Sequence, residues 1–157
     1  LDSKLNIQFD SLSQKINPTH YDAFDVIPCA VRLFDGPTFE RVSIIKRVDF
    51  ELYWGLADEY SMLKSIDVDQ IYESEYRVPC KFSNIMAAAP ENGMGYRRFW
   101  LSFTEGRKLL VTAGNLNDFF DFPEGYNVCE ITGVEAVSGY EPIETQAESS
   151  PVKWLVV

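Results

Sequence analysis

A chain of 157 residues reads as one globular domain spanning 1–157, long enough to bury roughly two-thirds of its unfolded surface without a disulfide or metal staple. Apolar residues make up 46% and charged residues 24%, an ordinary globular balance, and no apolar run is long enough to span a membrane. The formal charge is −10, which argues against direct contact with nucleic acid by the most acidic part, because phosphate recognition needs Lys and Arg.

Lys4 to Asp10 alternates, with Leu5, Ile7 and Phe9 on one side, and predicts a half-buried strand. Asn17-Pro18 breaks any helix begun at Ser11. Val26 to Phe34 is a β-branched second strand, closed by the turn Asp35-Gly36-Pro37. A long strand is expected from Phe39 to Trp54, with Val42, Ile44, Val48, Phe50 and Leu52 facing the core. Lys46 interrupts that apolar face, so a bulge is placed near Ile45–Lys46.

The main helix is predicted over 56–65, where Leu56, Tyr60 and Leu63 recur at helical spacing. Asp58 and Glu59 suit its first turn and Lys64 its last. Ile71 to Phe82 alternates again and reads as an edge or bulged strand, since Pro79 lacks an amide donor. Asn84 to Ala89 suits a helical turn that Pro90 ends, and a flexible loop follows over Glu91 to Gly95. Arg97 to Phe103 and Arg107 to Thr112 form the clearest hairpin, joined by Thr104-Glu105-Gly106, with Phe99, Leu101 and Phe103 inward. Asn115 is placed as the cap of a short helix, Leu116 to Phe120. Tyr126 to Val137 is a strand interrupted at Gly133, 138–150 is a polar acidic loop, and Val152 to Val157 docks as a last strand. The class expected is α+β, mainly antiparallel, as a bent or barrel-like sheet of about seven or eight strands. The 22 aromatic residues (11 Phe, 8 Tyr and 3 Trp) agree with that bias.

Three cysteines, Cys29, Cys80 and Cys129, lack CxxC spacing and cannot all pair within one chain. They read as reduced, mostly buried thiols in a cytoplasmic protein. Leu1 is not an initiator methionine, so the start reads as processed or trimmed. With one histidine no metal or cofactor is implied. Asp67-Val68-Asp69 opens like a calcium loop, but the required Gly and distal acid fall on Tyr72 and Val78.

Catalytic candidates are His20, beside Thr19, Tyr21 and Asp22, as a general base, and Cys80, near Arg77 and Lys81, as a nucleophile. Each also reads as a residue with no chemical task. Gly93, Gly95, Arg97 and Arg98 would suit an anion loop, or a plain connection into a strand. Asp118, Phe119, Asp121, Phe122 and Glu124 would suit an aromatic anchor inside an acidic rim, or a turn that buries its rings.

Charge layout ranks the functional classes. Between Lys108 and Lys153 stand eight acids, Asp118, Asp121, Glu124, Glu130, Glu135, Glu141, Glu144 and Glu148, and no Lys, Arg or His. A non-enzymatic interaction module, of the inhibitor, adaptor or immunity type, with a basic protein partner comes first. A ligand-binding β-domain with an aromatic-lined cavity comes second, and a small enzyme using His20, Cys80 or the Arg97–Arg98 loop third. No membrane partner is expected.

Overall fold

The computed structural model describes residues 7–60, 62–139 and 144–157. The class is α+β with sheet predominating: among the described residues there are three α-helices and nine strands. The strands form two mixed sheets rather than one bent or barrel-like sheet. Each sheet holds one parallel pair. Parallel neighbours need long connections, and no local pattern in the chain announces them. By its contacts the chain divides into two compact units, Leu1–Glu75 with Val152–Val157, and Tyr76–Pro151.

The first unit contains α1 (Phe9–Leu12), β1 (Thr19–His20), β2 (Asp25–Leu33), β3 (Thr38–Ile45), α2 (Arg47–Trp54), β4 (Val68–Tyr72) and, last in the chain, β9 (Lys153–Val156). The order is β1-β2-β3-β9, with β4 also on β2. Ile27, Cys29, Val31, Val42, Ile44 and Leu155 bury one face against Phe9 and Ile16. β2 and β9 fall where alternation and β-branching place them. The first expected strand does not form as read: Phe9 opens α1, and Lys4 to Asn6 lie outside the described residues.

The long strand expected from Phe39 ends at Ile45, and Arg47–Trp54 is helical. Pairing explains the switch. Ile45 is the last residue of β3 with partners on both sides, Val26 of β2 and Val156 of β9. One residue further β2 ends, at Asp25, and Arg47 N–H takes one final bond, 2.7 Å, to Val157 O. An extended chain would leave amides unpaired; a helix pairs its own. Asp49 in the first turn and the Arg47–Glu51 contact at 3.3 Å support α2. Gly55 ends it at φ +99°, a conformation that L side chains avoid.

Among the described residues of 56–65 the expected helix is absent. Single 3₁₀ turns stand at Ala57–Glu59 and Ser65–Asp67, and Tyr60 between them is extended. Tertiary bonds outcompete the helical spacing here. Tyr60 Oη–H donates to Trp54 O, and Leu63 N–H donates to Trp154 O at 2.9 Å.

The second unit holds α3 (Cys80–Ala88), β5 (Arg97–Phe103), β6 (Lys108–Ala113), β7 (Ile131–Ala136) and β8 (Ala147–Glu148), in the order β7-β5-β6-β8. The hairpin β5–β6 stands as read, with Phe99, Leu101 and Phe103 buried alongside Val78, Phe82 and Met86. The strand expected to reach Phe82 gives way to α3, because Pro79 suits the entry to a helix better than a sheet ladder. The helix expected over Leu116 to Phe120 is also absent. Phe120 instead bridges Ser149.

Candidate functional site

Each residue singled out in the sequence has a definite setting. His20 Nδ1 meets Asp25 Oδ1 at 2.8 Å, with both side chains well exposed. A pair this open is screened by water. Cys80 opens α3, half-buried, and Asn84 Nδ2 donates to its sulfur at 3.2 Å. Cys29 is buried, but Cys129 is exposed, against the expectation of mostly buried thiols. The stretch read as strand around Cys129 is a 3₁₀ turn, Val128–Glu130, which Asn127 caps by accepting from Cys129 N–H at 3.1 Å.

The glycine-rich loop is a tight turn. Tyr96 lies over Gly93 so closely that a Cβ there would meet its ring at 2.3 Å. Gly95 sits at φ +80°. Arg97 Nε donates to Ala89 O at 2.8 Å, and buried Arg98 donates from Nη2 to Gly139 O at 2.7 Å. Asn92 fastens the turn: its side chain donates to Val137 O and Gly139 O and accepts from Arg98 N–H at 2.7 Å. Both arginines thus hold backbone carbonyls, which supports the connection reading of this loop.

The segment from Asp118 to Glu124 divides. Asp118 and Phe119 are interior, and Asp118 O accepts from Val78 N–H at 2.9 Å. Phe122 packs on Phe103 and Phe120 at 5.7 and 5.8 Å between ring centroids. Only Asp121 and Glu124 of this group are exposed, so its rings serve the core. Of the other acids between Lys108 and Lys153, Glu135, Glu144 and Glu148 are exposed, and Glu130 pairs with Arg107 at 3.2 Å. Glu141 lies outside the described residues.

Sequence reasoning missed an apolar surface on α2. Val48 and Leu52, expected in the core, are 71% and 72% exposed, and of α2 only Phe50 is buried. Leu56, Tyr53 and Tyr60 extend this surface at 60%, 48% and 43% exposure. Beneath it Phe50 stacks on Trp54 at 5.5 Å and meets Tyr60 and Trp154 edge-on. The signal available was the Phe50/Trp54 spacing of four, which fits a helix and competes with the alternation.

The first unit also carries a groove of about 390 Å³ between α1 and β4, lined by Leu12, Lys15, Asp69, Ile71 and Tyr72 among others. Tyr72 is its single aromatic lining residue. Among the described residues no group of His, Cys, Asp or Glu is placed to hold a metal ion, and no helix is long and apolar enough to cross a membrane. Compared with protein-family models, curated proteins and solved structures, the chain matches none.

Proposed function

We propose that this chain is a non-enzymatic interaction module whose acidic C-terminal third engages a positively charged protein partner. One observation carries the reading. Asp121, Glu124, Glu135, Glu144 and Glu148 are all exposed, and none makes an ion pair among the described residues. No base between Lys108 and Lys153 offsets them. Uncompensated acids of one sign attract a basic surface and raise its rate of encounter. The openness of the His20–Asp25 pair and the use of Arg97 and Arg98 as structural donors favour this reading over an enzyme. A reducing, cytoplasmic setting belongs to the proposal, since Cys29, Cys80 and Cys129 form no disulfide with one another.

The test is affinity capture from the native host at low and high salt, using the full chain and a variant with Asp121→Asn, Glu124→Gln and Glu148→Gln. Captured proteins should be basic, should elute as salt rises, and should bind the variant more slowly. Screening confines surface fields to about 8 Å at physiological salt, so the rate must fall with ionic strength. A captured partner whose association rate ignores both salt and the triple change removes the acidic third from the mechanism.

A further inference from the structure

The exposed side of α2 is apolar where a surface helix is usually polar. Here Phe50 alone is buried, while Val48 and Leu52, one turn apart, face solvent together. Leu56, Tyr53 and Tyr60 continue the surface. Isolated exposed apolar side chains are ordinary, but several concentrated on one short segment mark an interaction site. The segment is also rigidly rooted. Phe50, Trp54, Phe24 and Trp154 interlock at 5.0–5.5 Å between centroids. Glu51 accepts from Ala57 N–H at 3.2 Å, joining the helix to the residues after Gly55. A rooted apolar face loses little entropy on binding.

Charge decides what covers it. From Val48 to Tyr60 the chain carries Asp49, Glu51, Asp58 and Glu59, and no Lys or Arg. Arg47, just before, contacts both Glu51 at 3.3 Å and Asp58 at 3.8 Å. A lipid surface is disfavoured, because helices that lie on membranes present an excess of Lys and Arg on their polar side, whereas Lys46 and Arg47 at the start of α2 are engaged by Asp10, Glu51 and Asp58. A second copy is disfavoured, because it would set acids against acids on chains of net charge −10. We infer that the Val48–Leu52 face of α2, with Tyr53, Leu56 and Tyr60, docks a protein segment that presents large apolar side chains flanked by Lys or Arg. This surface lies apart in sequence from the acidic third and stands without it.

Random peptides displayed on phage, selected on the immobilised full chain, test this. Recovered peptides are synthesised, labelled and titrated by fluorescence anisotropy. They should combine a large apolar residue with Lys or Arg. Val48→Ser with Leu52→Ser should weaken binding by roughly tenfold or more, as for anchor residues at the centre of an interface. Val48→Ile with Leu52→Met should preserve it, which separates lost contact from lost folding. Asp49→Asn with Asp58→Asn and Glu59→Gln should weaken the basic peptides and flatten their salt dependence. The inference falls if no recovered peptide depends on Val48 and Leu52, or if those that do are neutral or acidic. It also falls if the chain pairs with itself through this face in sedimentation, or floats with lipid vesicles through it.

Discussion

Arg47–Trp54 and Arg97–Phe103 look alike as text. Both place apolar residues at every second position, both contain arginine and aromatics, and both read as strands. One is a helix and the other a strand. The difference lies in their neighbours. β5 has β6 on one side and β7 on the other along nearly its whole length, from Arg97↔Ala113 to Phe103↔Ile131. Past Ile45 the first sheet offers no such edges. Alternation therefore states which residues would share a face if the segment were extended. Whether it is extended depends on a partner edge elsewhere in the chain.

The largest effect that would break this comparison concerns the buried rings. Phe99→Ala or Phe103→Ala should cost about 3–5 kcal/mol, and Phe50→Ala a similar amount, because each removes a fully buried ring. Such a loss is a large part of a total stability of roughly 5–15 kcal/mol. Urea midpoints unchanged within error would show that the ring in question is not in the core.

A smaller effect marks the end of α2. Gly55→Ala should cost about 1–2 kcal/mol, because Gly55 lies at φ +99° and a Cβ is strained there whatever the space around it. A neutral or stabilising result would mean that the helix runs on towards Leu56, as the spacing over 56–65 suggested.

The smallest effect separates the two readings of α2 most sharply. Val48→Ser and Leu52→Ser should each change stability by no more than about 0.5 kcal/mol, as exposed positions do. Were they core positions of a strand, each would cost about 2–4 kcal/mol or more. Denaturation midpoints of these two variants, set beside that of Phe50→Ala, decide between helix and strand.

Thiol labelling extends the same contrast to the cysteines. In the folded chain Cys129 should react first, Cys80 more slowly, and Cys29 only on unfolding, following their exposure. Three equally protected thiols would restore the strand reading around Cys129.

The candidate sites divide along the same line. The charge of the acidic third was plain in the text, since eight acids without a base need no fold to be counted. Which of them reach solvent was not. Asp118 is interior and Asp121, three residues on, is at the surface. Phe119 and Phe122 suited either an exposed anchor or a turn that buries its rings; Phe119 is interior, and Phe122 packs on Phe103 and Phe120. The apolar surface of α2 was hidden because its residues were assigned inward by a period of two.

Features governed by neighbours in the chain were therefore legible from residues alone. The β5–β6 hairpin, the turn at Asp35-Gly36-Pro37 and the last strand each depend on local alternation, β-branching or Gly/Pro chemistry, which act over a few residues. Charge is local in the same sense. The parallel pairs β3–β9 and β6–β8, the division into two sheets and the outward turn of Val48 and Leu52 depend on which edges meet across long stretches of chain. Backbone amides must be paired wherever water is excluded, and the fold alone supplies or withholds those partners.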